Sequence, residues 1–195
     1  MRKLTVRDVL PRAEYEKVRP EFRRRVIEVK KRRRVALGEF LSLVFENRDT
    51  VLFQIQEMIR TERIDDPAEV LQEVEVYNDL IPGDGELRAT LFIEIPDHDR
   101  LQRLLPRLVG VEGAVSLCIG DKEAVPGLPD PGRSKEDKTS TVHYLTFRLS
   151  PAAQEALRRG EDPVFLVVDH PEIRARAELR PETVASLAED LPAGA

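Results

Sequence analysis

A chain of 195 residues with 41% hydrophobic and 34% charged content has enough apolar material for a packed core and too much to stay disordered. No apolar run approaches about 20 residues, so no membrane span is expected, and the basic start MRKLTVRDVL lacks the apolar stretch of a signal peptide. Cys118 is the single cysteine, which excludes an intrachain disulfide and a cysteine-only zinc site and points to the reducing cytoplasm.

In chain order, Thr5 and Asp8 are spaced to cap a short first helix that Pro11 would end. Tyr15, Val18, Phe22, Val26 and Val29 then recur at steps of three and four, predicting a helical arm over 13–34 with Pro20 kinking or restarting it. This arm lies in a basic region. Residues 1–45 hold fourteen Lys and Arg against six acids, so the arm is basic and the remainder acidic within a net charge of −5. VAL, Gly38 and FLSLVFE predict a strand or hairpin.

The stretch FENRDTVLFQIQEMIRTERI (45–64) predicts a helix over 48–63. Asn47 is placed to cap it, Asp49 lies in its first turn, and Arg60 and Arg63 lie in its last. Val51, Leu52, Ile55, Met58 and Ile59 fall in one arc of about 120°. Glu62 projects into that arc, so its carboxylate is expected to point at the core and to need a cation. Phe53 and Ile64 project from the opposite side, which suggests a second contact with another element or subunit. AEVLQEVEVYNDL (68–80) reads as a further helix, stopped by Pro82 and Gly83.

Beyond residue 85 the pattern strand, helix, strand, short strand runs twice. LRATLFIEI, DHDRLQRLLPRLVG, AVSLCIG and KEAV make one copy; TVHYLTFRL, SPAAQEALRRG, VFLVVDH and IRARAEL make the other. Gly110, Val115 and Asp121 match Gly160, Phe165 and Glu172 in spacing. Between the copies, PGLPDPGRSKEDKT reads as a mobile surface loop. PETVASLAEDL is a last amphipathic helix, and PAGA is expected to fray. The expected fold is α+β, a single domain over 1–195. Helical arm, strand and polar helices occupy 1–81. A duplicated β-α-β-β body over 86–180 forms a pseudo-twofold mixed sheet or sandwich, and 181–195 hold the terminal helix and tail.

The blocks KKRRRV, FENRDTVLFQIQEMIRTERI, YNDLIP, LRATLFIEI and KTSTVHYLTFRL together resemble a bacterial family, domain of unknown function number three thousand five hundred and one. The resemblance runs from about Val9 to the final helix. It departs at VVDHPEIRA, where members tend to carry a tyrosine near Ile173. It implies no activity. It implies a setting, because such proteins are often encoded beside rubrerythrin-like and iron–sulfur oxidoreductase proteins.

Three functional expectations follow. The first is a cytoplasmic binding or accessory protein that needs no cofactor and self-associates through the arm or the Phe53 face, with a protein partner in such a redox system. Its polar surface would comprise Glu46, Asn47, Arg48, Asp49, Gln54, Glu57, Arg60 and Glu62, with arginines pairing anions and carboxylates holding the arginines. The second is a metal-dependent enzyme using His143 with Glu57, and His170 as a further ligand if the strands of the two histidines are neighbours. The third is a nucleic-acid binder through Lys30, Lys31, Arg32, Arg33 and Arg34. Against that third role stand the acidic body and the absence of Trp. No glycine-rich phosphate loop and no nucleophile elbow occurs, so nucleotide binding and serine-type hydrolysis are not expected.

Overall fold

The computed structural model describes residues 1–120, 123–134 and 137–192. A single 3-10 turn at Val6–Asp8 is closed by the reciprocal Thr5–Asp8 cap. Helix α1 (Arg12–Arg33) follows, then strands β1 (Arg34–Leu37) and β2 (Leu41–Glu46), helices α2 (Arg48–Glu62) and α3 (Pro67–Asn78), and β3 (Glu86–Ile93). Next come α4 (His98–Leu104), β4 (Val115–Ile119), β5 (Glu123–Pro129), β6 (Val142–Arg148), α5 (Pro151–Arg159), β7 (Val164–His170), β8 (Ile173–Glu178) and α6 (Pro181–Ala188). Pro20 lies inside α1 without ending it. No helix among the described residues is long and apolar enough to cross a membrane.

The eight strands form one sheet in the order β1-β2-β3-β6-β5-β4-β7-β8. Every pair is antiparallel, which corrects the expected mixed sheet or sandwich. The sheet curls until its two ends meet, nearly a barrel. β1 lies against β8 without ladder hydrogen bonds, and the contact is made at Gly38 (φ +72°). A Cβ added there would lie 3.1 Å from both Ala175 and Ile173. The order strand, helix, strand, strand occurs as β3-α4-β4-β5 and as β6-α5-β7-β8. Pairing differs between the two: β6 lies beside β5, whereas β3 lies beside β2 of the N-terminal hairpin. Asp121, one of the spacing markers, and the tail at 193–195 lie outside the described residues.

Packing on both faces explains the nearly continuous burial of β2 and β3. Alternation sends Leu41, Leu43, Phe45, Leu87, Ala89 and Leu91 inward, where they meet Leu117, Leu145, Phe147, Leu157, Leu166 and Leu187. The outward face of β2, β3 and β6 is covered by a second cluster of Leu4, Val51, Ile55, Ile59, Val74, Leu80 and Ile81. Each such buried side chain contributes about 1.5–3 kcal/mol. The expected apolar arc of α2 therefore seats on the sheet through Val51, Ile55 and Ile59. The opposite side of α2 meets α1 of the same chain, where Phe53 lies 6.0 Å from Phe22. That contact gives the second apolar face a partner element within the chain.

The stretch expected to be a mobile loop is corrected at both ends. Residues 126–129 belong to β5, with Ser116 opposite Pro126 and Phe147 opposite Gly127. Gly127 fits closely there, because a Cβ would lie 3.1 Å from the Phe147 ring and from the Val115 carbonyl oxygen, tighter than an ordinary contact. At the other end Thr139 is buried.

Candidate functional site

The polar residues of the β2–α2 corner are largely satisfied within the chain. Asn47 Oδ1 accepts from the Asp49 and Thr50 amides at 3.1 and 3.0 Å, as expected of the cap. The Glu46 carboxylate is buried under α2. It accepts from Thr90 Oγ1 and Thr50 Oγ1 at 2.6 Å each and from Gln54 Nε2 at 3.1 Å. Arg48 pairs with Asp8, which ties the N-terminal turn to α2. Asp49 is half-buried. Glu57 accepts from Tyr15 Oη at 2.8 Å and from Arg19 Nε and Nη2 at 2.7 and 2.9 Å, binding α1 to α2. Arg60 lies 3.6 Å from Glu16 and 3.7 Å from Glu57.

Glu62 corrects an expectation. The helix ends there, Arg63 turns into the left-handed region (φ 56°), and Ile64 donates back to the Ile59 carbonyl. The arc extrapolated from an unbroken helix is thereby cut off, and Glu62 is exposed.

Hydrogen bonding from Arg19 holds the Glu57 carboxyl down to about 2, with Tyr15 assisting against burial. A carboxyl lowered in the folded state stabilises fully above its unfolded value of about 4.3. That contribution is lost as pH falls through the folded value. Glu57→Gln is therefore expected to lower Tm by about 2–4 °C at pH 7. The gap to the parent chain should close as pH falls from 4 toward 2 in thermal melts. A gap that does not change with pH would assign the effect to packing.

The histidines do not join Glu57. His143 projects into the end of the barrel and is buried. Its Nε2 lies 2.9 Å from the Ser140 carbonyl, which can only accept, so Nε2 carries the proton. The same nitrogen lies 2.8 Å from Thr139 Oγ1 and 4.0 Å from Glu112. Ser134 Oγ donates to Glu112 at 2.5 Å. Burial pushes the His143 pKa down, so the ring is neutral. The His143–Glu57 pairing is thus corrected: Glu57 is saturated between α1 and α2, and His143 is bound to Thr139, Ser140 and, more distantly, Glu112. His170 is also held singly, with Nε2 3.1 Å from the Val109 carbonyl and Nδ1 accepting from the Glu172 amide at 3.3 Å. β5 and β4 separate the strands of the two histidines. No group of three or more His, Cys, Asp or Glu side chains converges among the described residues.

The basic run is dispersed as well. Arg33, expected on a phosphate-binding face, is 1% exposed. Its guanidinium pairs with Asp190 and donates to the Phe45 carbonyl and to Ser186 O and Oγ at 2.9–3.0 Å. Arg34 is held by Glu94 at 2.5 Å, and Lys30 lies 5.9 Å from the Phe53 ring centre. Lys31 and Arg32 remain exposed.

Polar groups with little bonding inside the chain also line a cavity of about 400 Å³ between α3, the end of β5 and the outer face of β6. Tyr77, Tyr144 and Leu80 line it with Glu73, Asp79, Asp130 and Arg133. Neither phenol has a hydrogen-bond partner among the described residues, and neither Glu73 nor Asp79 has an ion pair. Asp130 is committed to Arg88 through bonds of 2.9 and 2.7 Å. The Arg133 guanidinium lies 3.9 Å over the Tyr144 ring. A comparable cavity of about 430 Å³ between α5 and α6 differs, because its arginines are already paired, Arg158 with Glu155 and Arg159 with Glu161.

Residues 3–191 match the family described as "Protein of unknown function (DUF3501)". The chain belongs to that family. A solved structure, described as a novel protein of unknown function from Burkholderia pseudomallei K96243, is similar to it. Identity is 38%, coverage is 98% of this chain and 100% of that one, and the TM-score is 0.92. The comparison with curated proteins gives no match. In this DUF3501 chain the two tyrosines of the cavity come from the sequence blocks YNDLIP and KTSTVHYLTFRL. Neither stands out by composition or spacing. Those blocks were the available signal, and what they lacked was the meeting of α3 with β6.

Proposed function

We propose that this DUF3501 protein is a binding or accessory protein and that its ligand sits in the cavity beneath Tyr144. One contrast supports this reading. Most polar groups at the α2 corner bond to one another, whereas among the described residues the two phenols of the cavity make no hydrogen bond and Glu73 and Asp79 make no ion pair. Binding sites combine apolar walls with a few convergent polar groups, in volumes of about 300–1,000 Å³. The setting implied by the family resemblance, service to an iron–sulfur or rubrerythrin redox system, enters this proposal on that resemblance alone. Nucleic-acid binding through α1 is the weaker reading, because burial of Arg33 and pairing of Arg34 break the basic run.

A fragment screen followed by NMR tests the proposal. Hits are expected to move the ring signals of Tyr77 and Tyr144 and to lose about tenfold or more in affinity in Tyr144→Ala, as for removal of a central anchor. Hits that cluster away from these rings, or that bind Tyr144→Ala unchanged, would overturn it.

A further inference from the structure

We infer that the Tyr144 cavity takes a cation with a planar, delocalised charge, and specifically the guanidinium group of an arginine. The inference rests on the reading of this cavity as the ligand site. Its first support is the resident Arg133, whose guanidinium already lies 3.9 Å over the Tyr144 ring. Aromatic faces attract cations, and flat guanidinium groups stack on them most readily. The ring face is therefore already used in the way a ligand would use it.

The second support is the charge balance. Glu73, Asp79 and Asp130 supply three negative charges to the wall. Arg88 neutralises Asp130 through its two bonds. Lys3, whose ammonium also donates to the Asn78 and Ile81 carbonyls at 2.7 and 2.8 Å, lies within electrostatic reach of Asp79 and offsets a second charge. Arg133 completes the balance. It is exposed, makes no ion pair among the described residues and stands on a connection between strands. Moving it aside leaves the wall one negative charge in excess beside an open ring face. An incoming guanidinium would replace Arg133 one for one in both roles, whereas an anion would meet Glu73 and Asp79.

Arginine side chains come from proteins and from small metabolites, and the test separates them. Four probes are titrated while the Tyr77 and Tyr144 ring signals are followed: N-acetyl-arginine methylamide, free arginine, the neutral N-acetyl-citrulline methylamide and the anionic N-acetyl-glutamate. The capped arginine is expected to move both rings and the capped citrulline to bind at least tenfold more weakly. Arg133→Ala should tighten the arginine probes about two- to fivefold, the range that exposed stacking supports. Glu73→Gln combined with Asp79→Asn should weaken them by a similar factor. Tighter binding of the capped form assigns the site to a protein side chain; tighter binding of free arginine assigns it to a small molecule.

Equal binding of arginine and citrulline probes, or no gain in Arg133→Ala, would overturn the inference. If citrulline or glutamate probes alone move the two rings, the cation fails and the cavity remains the ligand site. If no probe and no fragment moves either ring, both readings fall.

Discussion

Asp190→Ala is expected to destabilise the fold by about 3–5 kcal/mol, lowering Tm by about 10 °C or more. Arg33 is 1% exposed, and Asp190 is its only anionic partner among the described residues. Without that carboxylate the guanidinium keeps only neutral acceptors, the carbonyls of Phe45, Glu46 and Ser186 and the Ser186 hydroxyl. Burial pushes the Asp190 carboxyl up, against the pull of Arg33, so each ion depends on the other. Asp190→Asn retains an acceptor and should cost less. Arg33→Met combined with Asp190→Leu should be milder than the sum of the two single changes, because both ions leave together. Urea unfolding of the four chains measures this. Additive costs would mean that the pair contributes no coupling.

Glu46→Ala is expected to cost about 2–4 kcal/mol, through loss of hydrogen bonds to a charged acceptor and stranding of a buried donor. Of its three donors, Gln54 is half-buried and can turn to water, and Thr50 has a second acceptor at 3.0 Å in the Asn47 carbonyl. Thr90 is buried, and Glu46 is its only side-chain partner among the described residues. Glu46→Gln keeps the shape, and threonine hydroxyls accept as well as donate, so it should cost about 1 kcal/mol. Urea titration at pH 7 reads the difference. Equal losses in the two variants would show that the negative charge, rather than the filled space, is what Thr90 requires.

Local order was the part most legible in the sequence. α2, its Asn47 cap and its core arc depend on neighbours within a few positions, and all three occur. Glu62 was misplaced because the helix stops where Arg63 turns left-handed, which periodicity does not register. Residues 126–129 look like a loop by composition, yet they stand in a strand because β4 and β6 pair with them on either side. Arg33 reads as part of a solvated basic run, and its partner Asp190 lies 157 positions away. The Tyr144 cavity was hidden for the same reason. Glu73 and Tyr77 from α3, Asp130 and Arg133 after β5, and Tyr144 on β6 meet only through the order of the strands.

The junction at Gly38 has a mechanical consequence. Everywhere else around the wall, parting two neighbouring strands breaks a row of backbone bonds; between β1 and β8 it separates only a few side-chain contacts. Water should first enter the inner core there, and amides along that line should exchange with deuterium ahead of those in β3 and β6. The molecule is a cylinder with one unstitched edge, and thermal breathing should follow that edge.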